Sequence, residues 1–266
     1  MSSSTELSAA YLLHYSPHSD SSFIADFFTL NSGLVTVYAR GARSGKNRPL
    51  YQPFRPLYVA WAGDRDLKTL TGLEASGAPI DFNDTAMACA YYFNELLLRL
   101  LPKFVAQPEL FGHYLLALQG LQQGEGASTQ ERLVSLEPCL RLFELALLDA
   151  IGVAPEFGHC ANDGKTPEAA CRYRFYPSLG RAAELFEDRP DYDPYEIHRE
   201  GLIRNDAGVE VSGKSLLALA AMELDSDAAR QEVLPDVKRI MRPLLRIQLG
   251  DRPLKSRKYF ESLLRS

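Results

Sequence analysis

The sequence predicts an α+β protein in which a small five-stranded barrel precedes a mainly helical region. Three observations predict this class. The first eighty residues hold five short runs that are rich in aromatic and β-branched residues. Apolar residues adopt helical spacing only after Asp81, and they lose it again between residues 153 and 210. Five short strands so close together fit a closed barrel, because closure leaves no exposed strand edge.

The predicted strands follow one another with turn signals between them. Asn31-Ser32-Gly33 separates the second from the third at hairpin spacing. The five predicted strands are Tyr11–Tyr15, Ser22–Leu30, Leu34–Ala39, Leu57–Trp61 and Leu67–Leu70.

Helical spacing of apolar residues predicts three helices in the middle of the chain. The first covers residues 85–101 and the second covers residues 109–122. The third begins after Ser128 or Thr129, either of which is a suitable N-cap, and ends near Gly152. Their apolar arcs are wide, so we expect the helices to pack as a bundle.

Helical spacing returns at Ser212 and continues to Leu249. Ser212 is the predicted N-cap of a helix over residues 213–224. A second helix is predicted over residues 227–249, with a break near Pro235 or Pro243, because proline removes a backbone donor.

These patterns divide the chain into four parts. The stretch between the helical regions is rich in proline and glycine and predicts an irregular subdomain with short strands near residues 171–176 and 208–211. The predicted parts are the barrel domain at 1–80, the first part of a helical domain at 81–152, the irregular subdomain at 153–210 and the C-terminal part of the helical domain at 211–266.

Composition predicts a globular protein of the cytoplasm. Hydrophobic residues make up 46% of the chain and charged residues 24%, which are ordinary globular values. No apolar run is long enough to span a membrane, and residues 1–10 lack the basic and apolar parts of a signal peptide. The four cysteines are therefore expected to be reduced.

The net charge of −5 conceals a basic segment in the barrel region. Between Asp26 and Asp64 there is no acidic residue. Cations neutralise phosphates and aromatic faces stack on unpaired bases, so this segment predicts binding of single-stranded nucleic acid. Each aromatic taken alone is more simply a core residue. The cations are Arg40, Arg43, Lys46, Arg48 and Arg55, and the interleaved aromatics are Tyr38, Tyr51, Phe54, Tyr58 and Trp61.

A second group of cations lies near the C-terminus, where only Asp251 offsets them. A basic amphipathic helix of this kind can meet nucleic acid, an acidic partner or a membrane surface, or can be a solvated face. The group consists of Lys238, Arg239, Arg242, Arg246, Arg252, Lys255, Arg257 and Lys258.

One segment matches the phosphate-loop pattern G-x-x-x-x-G-K-[ST], namely Gly208–Ser215. A phosphate loop requires a buried strand before it, and residues 201–206 are too short and too polar for one. Glu210 inside the loop would repel phosphates. We therefore interpret the segment as a strand followed by a helix cap, and not as a nucleotide site.

No other motif nominates a cofactor or a catalytic group. Cys160 and Cys171 lack the second close cysteine that a structural zinc site usually has, so no metal is expected. None of the five histidines forms a metalloprotease motif, and no nucleophile elbow is present. The sequence thus predicts a protein without catalytic residues and without cofactors.

Several segments resemble the RecO family of bacterial recombination mediators, over nearly the whole chain. The most specific is the C-terminal Gly250–Arg257. The other segments that carry the resemblance are Tyr11–His14, Ser19–Phe28, Arg40–Arg43 and Arg141–Leu148.

The resemblance implies an N-terminal OB-fold, a helical domain and a zinc-finger-like insertion, although this chain lacks the full set of zinc ligands. It implies a nucleoid-associated protein of DNA repair and recombination that binds single- and double-stranded DNA and anneals complementary strands. It also implies that the protein, with RecR, helps to load RecA onto DNA covered by the single-strand-binding protein.

The resemblance and the residue chemistry together nominate two groups of site residues. The acidic tail of the single-strand-binding protein ends in an apolar residue, so its receptor needs a cation beside apolar side chains. Arg141, Leu142 and Leu145 meet that description. The nominated DNA-binding residues are Arg40, Arg43, Lys46, Arg48, Tyr51, Arg55, Lys255 and Arg257.

An alternative from another class stays open. The chain would then be mainly an adaptor that the single-strand-binding protein recruits, with weak DNA affinity of its own. The net charge of −5 is consistent with that alternative. The sequence leaves open which barrel face meets DNA, the oligomeric state, and whether the C-terminal cations contact DNA or protein.

Overall fold

The computed structural model describes residues 4–161, 163–184, 208–224 and 231–263. The chain forms two compact units. One unit, here called the barrel unit, comprises Met1–Leu136 and Pro253–Ser266, and the other, called the sheet unit, comprises Glu137–Arg252. The four-part division predicted from the sequence stays a prediction.

The barrel unit contains the predicted five-stranded barrel. Its strands pair in the order β1-β2-β3-β5-β4, and the barrel is closed. All neighbouring pairs are antiparallel except β3 and β5, which run parallel. This closed five-stranded arrangement confirms the predicted barrel and is of the OB type. The strands are β1 Ser4–Pro17, β2 Phe23–Thr29, β3 Gly33–Ala39, β4 Pro56–Ala62 and β5 Lys68–Ala75.

Six helices are described in the two units. Their positions confirm the predicted helices of the middle region. The oxygen of Ser128 accepts a hydrogen bond from the backbone N–H of Glu131 at 3.2 Å, so Ser128 caps the third helix. The helices are α1 Asp84–Leu100, α2 Pro108–Leu121, α3 Thr129–Ala150, α4 Gly213–Ala221, α5 Leu234–Leu249 and α6 Lys255–Leu263.

The middle of strand β1, residues 10–13, is buried on both of its faces, because successive side chains of a strand point to opposite sides. Leu12 belongs to the core inside the barrel. Tyr11 points to the other side, where its ring meets the ring of Tyr114 in α2 edge to face, with centroids 5.5 Å apart. The outer face of the barrel is therefore the surface against which helix α2 of this unit packs.

A buried polar relay joins α1, α2 and β1. The hydroxyl of Tyr114 donates to Oδ1 of Asn94 at 2.7 Å. Nδ2 of Asn94 donates to the carbonyl of Leu13 at 3.1 Å. Tyr114 and Asn94 are buried, so these bonds supply partners that water cannot.

The hairpin between β2 and β3 turns where the sequence predicts it. Gly33 has a φ of 64°, in the left-handed region that favours glycine. A Cβ at this position would lie 1.9 Å from the carbonyl oxygen of Val105. No other residue type fits this turn without moving the segment that contains Val105.

The sheet unit corrects one prediction about residues 153–210. The described part of this stretch contributes four strands to a sheet in the order β6-β8-β7-β9, and it is not irregular. Strands β7 and β9 lie where short strands were predicted, whereas β6 and β8 were missed. They are only five and four residues long, and β8 contains no β-branched residue. Residues 185–207 lie outside the described residues. The strands are β6 Glu156–Cys160, β7 Arg172–Tyr176, β8 Arg181–Glu184 and β9 Val209–Ser212.

Helix α4 begins as the sequence predicts. Helix α5 begins at Leu234, later than the predicted start at residue 227, and residues 225–230 lie outside the described residues. The oxygen of Ser212 accepts a hydrogen bond from the backbone N–H of Ser215 at 3.2 Å and caps α4. Helix α5 begins beside Pro235, which occupies its first turn, and it continues through Pro243. Apolar residues of both helices join the sheet in one core cluster, which includes Phe175, Leu216 and Val237.

Over the ranges that the structure describes, no helix combines the length and the apolar character that crossing a lipid bilayer requires.

Candidate nucleic-acid interface

The basic loop, residues 40–48, follows β3 as a series of hydrogen-bonded turns. The backbone N–H of Gly45 donates to the carbonyl of Gly41 at 2.9 Å, and that of Arg48 donates to the carbonyl of Gly45 at 3.0 Å. A short 3-10 helix, Arg48–Leu50, ends the loop. The loop thus presents its cations from a defined backbone.

Arg43 fastens the basic loop to the segment between β1 and β2. Its backbone N–H donates to the carbonyl of Ser21 at 3.0 Å, and its guanidinium donates to the carbonyl of Ser19 at 2.7 Å. A carbonyl does not neutralise the guanidinium, so Arg43 still contributes positive charge at the surface.

The cations of the basic loop are exposed and unbalanced. Arg40, Lys46 and Arg48 are all solvent-exposed. Across the described ranges, none of them has an acidic side chain within ion-pair distance. The sequence has no acidic residue between Asp26 and Asp64, and within the described ranges the fold brings no other acidic side chain to these cations. The loop is therefore a surface on which phosphates would replace only counterions and water.

Two other residues predicted to bind DNA are held within the barrel unit. Tyr51 is 7% exposed, and its ring packs against Phe23 in the barrel core. The guanidinium of Arg55 donates to the carbonyl of Gly77 at 3.0 Å and to the side chain of Gln52 at 3.3 Å. Neither presents the open surface that the basic loop presents.

The interleaved aromatics are mostly core residues, as the simpler interpretation of the sequence has it. Phe54 and Trp61 are 1% and 2% exposed. The hydroxyl of Tyr38 lies 2.9 Å from that of Ser22. Tyr58 on β4 is the exception, with 43% of its surface exposed.

A cavity of about 190 Å³ lies between the basic loop and β5. Five polar side chains line it, two from the loop's cations and three from neutral residues, and within the described chain no acidic residue does. Sequence reasoning missed Asn47 and Thr71, because the pairing of β3 with β5 brings them together across the barrel seam. The five are Arg40, Lys46, Asn47, Tyr51 and Thr71.

The C-terminal cations divide between the two units. Lys255 and Arg257 lie exposed on α6 in the barrel unit. Lys255 also lines a cleft of about 760 Å³ in that unit. Two further cations line the same cleft: Arg99, in the last turn of α1, and Lys103, in the loop that follows α1.

Most cations of the sheet unit already have acidic partners. Lys238 pairs with Glu137 at 3.1 Å, and Arg239 pairs with Asp236. Arg246 lies 3.9 Å from Asp251, which is fully exposed. This part of the predicted basic cluster is therefore largely neutralised inside the unit.

Arg141, nominated as the receptor for an acidic tail, lies in an ion-pair network. Its guanidinium donates to Glu144 at 2.6 Å, and its Nε lies 3.4 Å from Glu137. Leu145 is 5% exposed and belongs to the core, whereas Leu142 is only partly buried against that core. The structure thus places the three residues together but leaves little of their surface open.

The phosphate-loop pattern does not form a phosphate loop. Residues 209–212 are strand β9, which pairs with β7. Lys214 pairs with Glu232. The extended backbone and the paired lysine do not form the cradle of N–H groups that phosphates need. In the four described ranges, no three side chains of His, Cys, Asp or Glu cluster as a metal site.

The closed barrel, its unbalanced basic loop and the helices behind it define the class: an OB-type barrel protein with a cationic surface. Family models agree with this class. The model described as Recombination protein O N terminal matches residues 1–78, and the model described as Recombination protein O C terminal matches residues 83–258. The chain belongs to the RecO family, and its role lies in DNA repair and recombination.

Relatives across the full length support the assignment. A DNA repair protein RecO of Haemophilus influenzae (strain ATCC 51907 / DSM 11121 / KW20 / Rd) is 35% identical over 258 residues, which are 96% of each chain. One of Glaesserella parasuis serovar 5 is 35% identical over 256 residues, 96% of this chain and 94% of its own. One of Pasteurella multocida (strain Pm70) is 33% identical over 252 residues, 94% and 92% of the two chains.

Proposed function

We propose that this protein binds single- and double-stranded DNA through the basic loop and anneals complementary strands. With RecR, it then helps to load RecA onto DNA covered by the single-strand-binding protein. The observation that carries the proposal is the exposed, unbalanced charge of Arg40, Arg43, Lys46 and Arg48. Neutralising phosphates on two strands lowers their mutual repulsion, which is what annealing requires.

The binding test neutralises the basic loop. We expect Arg40→Gln, Arg43→Gln, Lys46→Gln and Arg48→Gln together to weaken binding of a labelled 30-mer by on the order of a hundredfold or more at low salt. The matched control removes four cations from the sheet unit, and it should bind like the unchanged protein. Equal loss in both variants would assign the effect to net charge and contradict the proposal. The control carries Lys165→Gln, Arg172→Gln, Arg174→Gln and Lys214→Gln.

Annealing and loading are tested with the same two variants. We expect the loop variant to anneal complementary oligonucleotides coated with the single-strand-binding protein more slowly than the control does. With RecR present, it should also delay RecA filament formation on coated DNA. A loop variant that anneals and loads at the control rate would remove the basic loop from the function.

A second candidate is the adaptor role, which the net charge of −5 favours. In that role the acidic tail of the single-strand-binding protein binds at Arg141 and Leu142. Glu137 and Glu144 already face Arg141, so the tail carboxylates compete with internal ones. Undiminished recruitment of the loop variant to tail peptide, together with undiminished RecA loading, would favour this role over DNA binding.

A further inference from the structure

The cleft of about 760 Å³ in the barrel unit has walls that are mostly apolar. Leu13 of β1 and Leu34 of β3 lie in its floor, and Leu98 of α1 lies in its side. The residues that line the cleft all belong to the barrel unit. Its volume is about five times that of the apolar cavity of about 150 Å³ that takes up one benzene ring, and it falls within the range of small-molecule sites.

Cations gather at one end of the cleft, where α1 ends. Arg99 lies in the last turn of α1, and Lys103 lies in the loop that follows, in an isolated β-bridge with Leu34. Lys255 begins α6 and is held beside Glu95 through its backbone N–H. Within the described ranges, neither Lys103 nor Lys255 has an acidic side chain within ion-pair distance. This end of the cleft therefore suits an anion.

The opposite end of the cleft is aromatic. Tyr91 lies on α1 two turns before Arg99, which is about 12 Å along the helix axis. Tyr259 lies one turn after Lys255 on α6. Burial raises the pKa of Tyr91 and the neighbouring Tyr259 raises it further, so the two rings lie close together and Tyr91 stays neutral. The cleft thus has cations at one end and aromatic rings at the other.

The polar side chains between the two ends already have partners. Asn94 belongs to the buried polar relay of α1, α2 and β1, and Glu95 accepts the first N–H groups of α6. Asp26 accepts the hydroxyl of Thr36 at 2.7 Å and lies 3.8 Å from the imidazole of His14. A peptide has a donor and an acceptor at nearly every residue, and each would need a partner along the cleft. A ligand that is polar at its anionic end alone needs no such partners.

We propose that this cleft binds a single-chain amphipathic anion that is free in solution, such as a medium-chain fatty acid. The carboxylate lies between Lys103 and Lys255, and the alkyl chain runs along α1, over Leu98, toward the two tyrosine rings. The inference goes beyond the proposed function and does not depend on it, because none of the cations of the basic loop lines the cleft.

Isothermal titration calorimetry with octanoate, decanoate and dodecanoate, each below its micelle concentration, tests the cleft. One buried methylene tightens binding by up to about fourfold, so affinity should rise by up to about fifteenfold for two added carbons. Dodecyltrimethylammonium has the same chain with a positive head group, and it should bind about tenfold more weakly than dodecanoate. Equal affinity for the three carboxylates, or for the two head groups, would overturn the proposal.

Two variants test the two ends of the ligand separately. The head-group variant, Lys103→Gln with Lys255→Gln, replaces exposed side chains, and it should bind dodecanoate about tenfold more weakly and dodecyltrimethylammonium no more weakly. The wall variant, Leu98→Gln, should reduce the gain in affinity from each added carbon. Circular dichroism checks that both variants are folded.

The matched control removes two lysines from the sheet unit, as Lys165→Gln with Lys214→Gln, and it should bind all four ligands like the unchanged protein. A loss of dodecanoate affinity in the control equal to that in the head-group variant would assign the effect to net charge. Undiminished affinity in both the head-group and the wall variant would place the ligand elsewhere. Either result overturns the proposal.

Two other occupants are outcomes of the same test, and each overturns the free anion. Phosphatidylglycerol vesicles that bind the unchanged protein, and not the head-group variant, while dodecanoate binds neither, would assign the cleft to a lipid surface. An acidic peptide with an apolar C-terminal residue that binds more tightly than dodecanoate, and loses affinity in the head-group variant, would assign it to a partner protein.

Discussion

The carboxylate of Glu95 caps the last helix: one of its oxygens accepts hydrogen bonds from the backbone N–H and the hydroxyl of Ser256, each at 2.8 Å. Its other oxygen accepts the backbone N–H of Lys255, also at 2.8 Å. The first N–H groups of a helix have no acceptor within that helix. The carboxylate of Glu95 in α1 therefore supplies the acceptors for the first N–H groups of α6. The cations Lys255 and Arg257 are held at the barrel unit by this cap.

Removing the cap should destabilise the barrel unit. We expect Glu95→Ala to lower the free energy of unfolding by about 2 kcal/mol, the effect of a charged cap with several hydrogen bonds. Ser256→Ala removes only the hydroxyl bond and should cost about 1 kcal/mol. Urea unfolding measures both, with Glu74→Ala on the exposed face of β5 as control. Equal midpoints for the Glu95 and Glu74 variants would contradict the cap.

The same carboxylate predicts a dependence of stability on pH. Partial burial raises the pKa of Glu95, but the N–H groups of Ser256 and Lys255 lower it more, and the net shift is below the ordinary value of 4.5. A lowered folded pKa means that the contribution is complete above pH 4.5 and is lost as the pH falls through the folded pKa. Glu95→Gln should therefore flatten the fall in stability below pH 4.5. Acid unfolding curves of identical steepness would argue against the shift.

Because the hydroxyl of Tyr114 donates to Asn94, removing that hydroxyl should lower the free energy of unfolding. Tyr114→Phe keeps the ring packing but leaves Oδ1 of Asn94 buried without its donor. An unsatisfied buried acceptor costs about 1–3 kcal/mol. Thermal unfolding should show the loss, while Tyr58→Phe, at an exposed position, should not. A Tyr114→Phe variant as stable as the unchanged protein would show that the relay contributes nothing.

The ion pair of Arg141 and Glu144 predicts how the tail-binding hypothesis must be tested. Glu144 is fully buried, and removing one partner of a buried pair costs about 3–5 kcal/mol. Arg141→Ala should thus destabilise the sheet unit, whatever its effect on tail binding. Arg141→Lys keeps the charge and should cost less. Tail-peptide affinity measured on Arg141→Lys at a temperature where it is folded is the informative value, and unchanged affinity there would count against Arg141 as the receptor.

The sequence predicted the barrel because its strands alternate and its turns have strong signals. Asn31-Ser32-Gly33 is such a signal, and the hairpin turns there. Strands β6 and β8 escaped prediction because they are short and lack a clear alternation. Their apolar residues, such as Phe157 and Ala182, become a core only when helices α4 and α5 cover them.

The charge of the basic loop was predictable because no acidic residue lies near it in the sequence, and the fold brings none from elsewhere in the described ranges within ion-pair distance of Arg40, Lys46 or Arg48. The cavity beside the basic loop could not be predicted from the sequence. The parallel pairing of β3 with β5 brings residues 40–51 and 70–73 together, and no local sequence pattern predicts which strands pair in parallel. The burial of Tyr51 shows the same limit. An aromatic between cations suits both stacking on DNA and packing in the core, and only the barrel's closure decides between them.

The most direct test of the account is the salt dependence of single-strand binding. Each phosphate contact contributes about 0.7 to the slope of log affinity against log salt for a single strand. Replacing Arg40, Arg43, Lys46 and Arg48 by glutamine should therefore flatten the slope by about 3, whereas the sheet-unit control should leave it unchanged. A slope in the loop variant equal to that of the unchanged protein would contradict the claim that the basic loop binds DNA.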